Sequence, residues 1–162
     1  MKKIIALIVI AFIIVSGYIV SSNYIYPVKY QDSLKKYSKK YNIDVRLLAS
    51  IIYTESGFRD LKYEKGKPSG LTQMKDKVID NIAKEMGMKD FKIEQIENPE
   101  IAIKMTSWYL KNKCDDNSKD LDKIIRKWAL RNRKNKSEEE INSYIKMVKR
   151  TKGMYKIFHL SL

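Results

Sequence analysis

The chain has 162 residues, a length that allows one small domain and a short appendage. Apolar residues make up 44% of it, and it has only three prolines and six glycines, which favours a packed helical fold over a turn-rich β fold. The single cysteine, Cys114, excludes an intrachain disulfide. The chain also has a single histidine, His159. One cysteine and one histidine give poor support to zinc chemistry or to Ser–His and Cys–His catalysis. We therefore predict neither a metal site nor a cofactor.

The formal net charge of +14 predicts attraction to polymers of phosphates or carboxylates. Nucleic acid, an anionic bacterial wall polymer and an anionic membrane surface all fit this charge. A solvated, lysine-rich surface without a dedicated partner fits equally well. The charge alone does not choose among these interpretations, so the choice depends on motifs.

The first residues are typical of a membrane-spanning segment. Met1-Lys2-Lys3 is positively charged, and residues 4–20 are uncharged and almost wholly apolar. About 17 residues at 1.5 Å each give roughly 25 Å, just enough to span the hydrocarbon core of a bilayer. Three tyrosines at the outer end favour the membrane interface: Tyr18, Tyr24 and Tyr26. These features predict a single-pass transmembrane helix.

A cleavable signal peptide is the alternative interpretation of this segment. Its apolar region is normally shorter, and a small-x-small cleavage site follows it, for which Val20-Ser21-Ser22 is a poor match. We therefore predict an uncleaved anchor over residues 1–22, a tether over 23–29 and one domain over 30–162. Because Lys2 and Lys3 stay inside, the domain is expected on the extracytoplasmic face of the cell membrane, or secreted if the segment is cleaved.

The rest of the chain shows helical periodicity and no convincing strand alternation. One helix is predicted over residues 71–86, with Gly87 at its end. Residues that favour the start of a helix precede the other apolar stretches: Asp44, Asn98 before Pro99, Ser118, and Ser137 before three glutamates. The predicted fold class is all-α, a single compact helical domain behind the N-terminal helix.

Glu55 lies in an unfavourable place for a charged carboxylate. It follows Ile51 and Ile52 on the apolar face of a predicted helix, and Gly57 can end that helix. The carboxyl end of a helix and partial burial both disfavour the anion, which is the tuning that a general acid needs near neutral pH. A glutamate that pairs with a lysine or turns into solvent is the alternative without function.

Two motifs surround this acid. Glu55-Ser56-Gly57-Phe58 is similar to a Glu-Ser-x-Phe motif, and Gly70-Leu71-Thr72-Gln73 is similar to a Gly-Leu-Met-Gln motif, with 18 residues from Glu55 to Gln73. Three further matches follow in order: Asn98-Pro99-Glu100, Trp108-Tyr109-Leu110, and Glu140 with Tyr144. From about residue 28 to residue 155 the chain resembles the catalytic domain of the bacterial lytic transglycosylases, of the soluble-transglycosylase (SLT) type with a lysozyme-like fold.

The resemblance implies cleavage of the β-1,4 bond between N-acetylmuramic acid and N-acetylglucosamine in peptidoglycan. Glu55 is then the catalytic residue. It protonates the glycosidic oxygen and next acts as base on the muramic 6-hydroxyl, which closes a 1,6-anhydro ring without water. Glycosidases that need two carboxylates around the bond differ in this respect.

The same resemblance implies a set of substrate-binding residues. Ser56 orients the acid or the substrate, and Gln73 hydrogen-bonds sugar in the cleft. A polar helix-end residue and a helix-surface amide are the respective alternatives without function. Met74, Trp128 and Tyr144 complete the implied binding set.

The chain departs from the family where Ala-Tyr-Asn-Ala-Gly is usual. Trp128 takes the Tyr place and keeps an aromatic wall but loses the hydroxyl, and Ala129 takes the Asn place without a polar group. Arg131 takes the Gly place and disfavours positive φ. Asn132 and Asn135 are the nearby amides that can substitute. These departures motivate a second hypothesis, a catalytically impaired wall-binding protein.

Two further functions compete with these. A lysozyme-like hydrolase uses water in place of the 6-hydroxyl, and a nucleic-acid module is disfavoured by the predicted anchor and the acid-centred motifs. The basic run of Arg131, Arg133, Lys134 and Lys136 is either a solvated loop or a grip on anionic wall polymer. The predicted partners are peptidoglycan glycan strands, the cytoplasmic membrane and, as an open possibility, anionic wall polymers, without nucleic acid.

Overall fold

The structure is a computed structural model that describes residues 2–115, 120–132 and 136–162. Over these residues the chain forms seven α-helices and no strand, with a single isolated β-bridge between Ser69 and Met74. The helices are α1 (Lys2–Val20), α2 (Gln31–Tyr41), α3 (Val45–Ser56), α4 (Asp76–Glu85), α5 (Pro99–Tyr109), α6 (Leu121–Ala129) and α7 (Glu138–Phe158).

The N-terminal helix differs from the others because it buries none of its residues. A short π-helical turn, Ser21–Ile25, extends it, and the combined segment Lys2–Ile25 is long and apolar enough to cross a membrane. A signal sequence near the N-terminus can also be long and apolar enough to meet these criteria, so the anchor stays a prediction.

The core is built around α3, which packs most extensively against α7. Asp44 begins α3 because its carboxylate accepts hydrogen bonds from the backbone N–H groups of Arg46 (2.8 Å) and Leu47 (3.2 Å). Gly57 ends it in the left-handed conformation, with φ of 62°. Both boundaries were predicted from the sequence and are confirmed. Seven of the twelve residues of α3 are buried and none is exposed, so α3 carries Glu55 on a well-packed helix.

The predicted helix starts at Asn98 and Ser137 are also confirmed. The Asn98 side chain accepts from the N–H of Glu100 at 2.9 Å, and Ser137 forms a reciprocal capping box with Glu140. The cap of α6 is Asp120, which accepts from the N–H of Asp122 at 3.0 Å. Ser118, the predicted cap, lies outside the described residues.

The prediction of a helix over residues 71–86 is wrong at its N-terminal end, because α4 begins only at Asp76. The preceding residues form a turn closed by two backbone hydrogen bonds between Ser69 and Met74 (3.0 and 3.2 Å). Gln73 has a φ of 50° in this turn, which a right-handed helix does not allow. Gln73 therefore lies in a turn before α4 and not within a helix, and it lines the same cleft as Glu55 at the end of α3.

Buried phenols and the buried thiol predict a loss of stability at alkaline pH. Burial raises the pKa of Tyr30 and that of Cys114 to about 12, and it raises the pKa of Tyr144 and of Tyr155 as well. The unfolded chain releases these protons first, near pH 8.5–10, so the folded state holds more protons above that range. Their contribution is therefore complete below about pH 8.5 and is lost as the pH rises towards the folded values.

Thermal unfolding followed by circular dichroism from pH 7 to pH 11 tests this expectation. The midpoint should fall steadily above about pH 9. Replacing Cys114 with alanine removes one of the groups and should make the fall shallower. A midpoint that is constant up to pH 11 would contradict the expectation.

Candidate active site

Glu55 lines an open cleft of about 330 Å³ at the end of α3. The cleft is formed where the carboxyl end of α3 meets the Ser69–Met74 turn, the end of α6 and the start of α7. Its lining residues are Glu55, Pro68, Gln73, Lys75, Ala129, Arg131, Asn132, Lys136 and Tyr144.

Three donors hold the Glu55 carboxylate. Its Oε1 accepts from the indole N–H of Trp128 at 3.0 Å and from the hydroxyl of Tyr144 at 2.5 Å. Its Oε2 lies 2.8 Å from a guanidinium nitrogen of Arg131. The Glu55 side chain is only 11% exposed, so these contacts fix its orientation and compensate its charge.

This environment corrects the expectation of an uncompensated acid. The structure does place Glu55 in the last turn of α3, as the sequence predicted. The sequence did not predict the cation beside it, Arg131, which follows α6. The alternative of a surface lysine or of solvent is also wrong, because the partner is Arg131, itself 2% exposed. The buried guanidinium places a positive charge against the Glu55 carboxylate at the end of α3.

Arg131 is held in several ways at once. Its guanidinium stacks over the Trp128 ring at 3.9 Å from the ring centre, and it donates to the backbone carbonyl of Thr72 at 2.7 Å and to that of Trp128 at 3.0 Å. Its backbone does not take positive φ, so α6 ends without the left-handed residue that a glycine would allow. Arg131 therefore ties the end of α6 to both the Ser69–Met74 turn and the acid.

Tyr144 on α7 is a lasting hydrogen-bond donor to Glu55. Burial, followed by the neighbouring Glu55 carboxylate, raises the pKa of Tyr144 well above its ordinary value. The phenol thus remains protonated throughout the neutral range. Of the predicted binding residues, it is the one that both lines the cleft and touches the acid.

Three other predicted binding residues do not face the cleft. Trp128 is fully buried, so its indole orients Glu55 and does not form an aromatic wall for sugar. The Ser56 hydroxyl donates back to the Ile52 carbonyl at 3.3 Å inside α3, and that residue is 2% exposed. Met74 is fully buried in the core. In each case packing against the core, which motif spacing does not report, decides the orientation.

Gln73 and Asn132 lie side by side at the rim. The Gln73 amide donates to the Gly70 carbonyl at 2.9 Å. Asn132 donates to the Gln73 carbonyl at 2.6 Å and accepts from the Lys75 N–H at 3.0 Å. The amide that the sequence offered as a substitute for the missing asparagine thus lines the cleft, but it bonds the turn and not the acid. Asn135, the other substitute, and the basic residues Arg133 and Lys134 lie outside the described residues.

The remaining carboxylates near Glu55 in sequence are engaged elsewhere. Asp60 accepts from the Tyr30 hydroxyl at 2.5 Å, Asp76 accepts from the Gly66 N–H at 2.9 Å, and Glu64 pairs with Lys67. None of the three lines the cleft, so Glu55 is the only carboxylate among its described lining residues. Chemistry that needs two facing carboxylates therefore finds no second one there.

A larger groove of about 870 Å³ adjoins the cleft and shares Lys75, Arg131 and Asn132 with it. Its described lining adds three lysines and no acidic residue: Lys77, Lys113 and Lys127. The described lining of this groove is thus basic, although Lys113 pairs with Glu85 at 2.7 Å, and such a lining can attract an anionic polymer.

Gly70 is needed for the turn that carries Gln73. Its φ is 68°, and a Cβ placed there would lie 2.6 Å from the backbone oxygen of Ile96. We expect Gly70→Ala to lower the free energy of unfolding by at least about 1–2 kcal/mol, because alanine disfavours the left-handed backbone and the clash is with main chain. The matched control is Gly153→Ala in the middle of α7, where nothing lies within 4 Å and φ is helical. That change should stabilise slightly. Equal midpoints in denaturant unfolding for the two variants would contradict the role of Gly70.

Comparison with known proteins agrees with this geometry. The sequence matches the transglycosylase SLT domain over residues 32–142, more than half of the chain, and the chain belongs to that family. The 70 kDa soluble lytic transglycosylase of Escherichia coli has a similar structure, with a TM-score of 0.72 and 18% sequence identity. The match covers 82% of this chain and 25% of that one, so the chain spans about a quarter of the solved structure's length. No curated protein matches the sequence.

The predicted all-α, SLT-type, lysozyme-like fold is therefore confirmed. Family membership indicates a function of the lytic transglycosylase type. Arg131 is the residue of the cleft whose contact with Glu55 motif reasoning missed. In the sequence, Arg131 stands out only as a cation at a position where the family usually has glycine. That substitution does not predict that Arg131 contacts Glu55, 76 positions earlier.

Proposed function

We propose that this chain cleaves the β-1,4 bond between N-acetylmuramic acid and N-acetylglucosamine in peptidoglycan and forms a 1,6-anhydromuramic product. The observation that carries the proposal is Glu55, the only carboxylate among the described residues that line the cleft. A reaction in which one group serves first as acid and then as base needs no second carboxylate. The family of the chain supports the same class of reaction.

In this reaction the Glu55 carboxyl group gives its proton to the glycosidic oxygen as the bond to the muramic C1 breaks. The resulting carboxylate then takes the proton of the muramic 6-hydroxyl while that oxygen bonds to C1. The proton taken replaces the proton given, so Glu55 returns to its starting state. Trp128 and Tyr144 keep Oε1 in place throughout and act as positioning residues, as both donate to that oxygen.

Arg131 sets a condition on this cycle. In the present structure both oxygens of Glu55 face donors, so a protonated carboxyl has no oxygen that points a hydrogen at substrate. Among the described residues, Arg131 alone holds Oε2. Proton transfer from Glu55 to the glycosidic oxygen therefore requires the contact between Arg131 and Oε2 to break.

This condition favours a second candidate function, a wall-binding protein with little or no turnover. A carboxylate whose two oxygens face Trp128, Tyr144 and Arg131 offers no free oxygen to a substrate, but the cleft beside it stays open. The basic groove beside it supports binding of anionic wall polymers or of anionic substituents on the glycan.

Product analysis separates these functions. The full chain in detergent is incubated with purified peptidoglycan, and the soluble fragments are identified by mass. Anhydro-muropeptides support the proposed lyase, and fragments with reducing ends would indicate hydrolysis with water. Co-sedimentation with peptidoglycan and no fragments would overturn the lyase in favour of the binding protein.

We also propose that α1 anchors the chain in the cytoplasmic membrane with the domain on the extracytoplasmic face. The length and composition of Lys2–Ile25 support this. The test is the mass of the protein in the membrane fraction. An intact chain of 19.1 kDa supports the anchor, whereas a soluble product shortened near residue 22 indicates a cleaved signal and secretion.

A further inference from the structure

The segment between α1 and the domain is held rigidly by aromatic residues. Tyr26 packs on Tyr53, with 5.9 Å between ring centres, and stacks on Phe158 at 5.9 Å. The Tyr53 hydroxyl donates to the Ile25 carbonyl at 2.6 Å, and the Tyr155 hydroxyl donates to the Pro27 carbonyl at 3.1 Å. The residues predicted as a tether are therefore bound to α3 and α7 and do not act as a loose linker.

The end of α7 also touches α1 directly. The Tyr18 hydroxyl donates to the Phe158 carbonyl at 3.0 Å, and the two rings lie 5.6 Å apart. Tyr18 precedes Ile25, the end of the apolar segment, by seven residues, or about 10 Å along a helix. Phe158 is thus level with a point inside that segment and not with its end.

Exposed apolar side chains lie close to Phe158 in the chain. We define the C-terminal turn as residues 156–161. Within it Ile157 is 57% exposed and Leu160 is 76% exposed. Beyond Ile25, the only other large apolar side chain so exposed in the described part of the chain is Met147.

The C-terminal turn is fixed and not frayed. Leu162 is buried in the core, and its N–H donates to the His159 carbonyl at 3.1 Å. An imidazole nitrogen of His159 lies 2.7 Å from the Tyr26 carbonyl. These contacts hold the backbone while the Ile157 and Leu160 side chains point outwards, so their exposure is a property of the fold.

We propose that the C-terminal turn inserts Ile157 and Leu160 into the outer interface of the bilayer that α1 crosses. The occupant of this apolar surface is a lipid membrane, because Phe158, which lies between Ile157 and Leu160 in the chain, contacts Tyr18 within the candidate membrane helix. Lys156, exposed beside Ile157, is placed to meet lipid phosphates. The inference rests on the proposed anchoring by α1 and not on the proposed catalysis.

Contact of the C-terminal turn with the bilayer, in addition to α1, would hold the cleft near the membrane. Tyr144 at the cleft precedes Ile157 by 13 residues on α7, about 20 Å along the helix axis. A domain held at both α1 and the C-terminal turn cannot swing away, so the cleft stays within about 20 Å of the lipid surface. If the chain cleaves glycan as proposed, it acts on strands next to the membrane.

A fluorescent label at the C-terminal turn tests the contact in the full chain. Leu160→Cys and the matched control Lys146→Cys, an exposed position on α7, are labelled with a polarity-sensitive dye and reconstituted into vesicles of phosphatidylcholine and phosphatidylglycerol. The wild-type chain should take up no dye, because its Cys114 is fully buried. A blue shift and quenching by lipids carrying a shallow nitroxide are expected at position 160, with neither at position 146.

A charge placed in the surface gives the second measurement. Adding Ile157→Glu to the Leu160→Cys chain should reduce the quenching, whereas Met147→Glu should leave it unchanged. Equal exposure of positions 160 and 146 to aqueous iodide would overturn the proposal, as would a chain that does not float with the vesicles. Fragment analysis on the same vesicles reports catalysis separately, so loss of one function does not mask the other.

Discussion

Replacing Glu55 with glutamine is expected to lower glycan cleavage by about 10²–10⁴-fold, the usual contribution of a positioned acid–base group. The amide keeps the shape of the side chain but cannot deliver the proton to the glycosidic oxygen. No other described carboxylate lines the cleft to take over that role. The measurement is the rate of release of anhydro-muropeptides from purified peptidoglycan.

The matched control is Glu64→Gln, because Glu64 is an exposed glutamate in the following loop that pairs with Lys67 and does not line the cleft. It should leave the rate unchanged. The folded state of Glu55→Gln must be checked by its unfolding midpoint, since Arg131 loses its anion in that variant. A folded Glu55→Gln chain that releases fragments at the wild-type rate would exclude Glu55 as the catalytic acid.

Arg131→Ala is expected to lower the free energy of unfolding by about 3–5 kcal/mol, the usual cost of removing one partner of a buried ion pair. The remaining Glu55 carboxylate is 11% exposed and lies at the negative end of α3, so water replaces the guanidinium poorly. The variant also loses the stack on Trp128 and the hydrogen bond to the Thr72 carbonyl. Denaturant unfolding followed by tryptophan fluorescence measures the change.

Arg126→Ala provides the comparison for Arg131→Ala. Its guanidinium pairs with Glu138 on the same side of the domain, but the two side chains are 36% and 72% exposed, so the expected loss is about 0–1 kcal/mol. Equal losses in the free energy of unfolding for the two variants would show that the buried contact with Glu55 stabilises the fold no more than an exposed ion pair does. In a double-mutant cycle, Glu55→Gln with Arg131→Gln should lose less stability than the sum of the single changes, because neither charge is then left alone.

The helix boundaries were predictable because they depend on local chemistry. Asp44, Asn98 and Ser137 cap helices through hydrogen bonds to N–H groups two or three residues later, and Gly57 ends α3 through its own backbone freedom. The helix over residues 71–86 failed for a related reason. The paired Ser69 and Met74 backbone groups and the positive φ of Gln73 delay its start, and apolar periodicity does not report either feature.

The roles of the residues around Glu55 were only partly predictable. Spacing placed Glu55, Gln73 and Tyr144 at one cleft, and the structure does bring all three to its lining. Spacing could not tell that Trp128 offers its N–H and not its ring face, or that Met74 points into the core. Those orientations depend on which neighbouring elements fill the space around each side chain.

By itself the sequence determined an all-α fold of the SLT type, an acid at the carboxyl end of α3 and an apolar segment at the N-terminus. Each is a property of local pattern or of spacing along the chain. Only the tertiary structure decided that Arg131 lies against Glu55 and that Phe158 at the end of α7 contacts Tyr18 of α1. These pairs are separated by 76 and 140 positions, and a contact at such separation depends on how the helices pack.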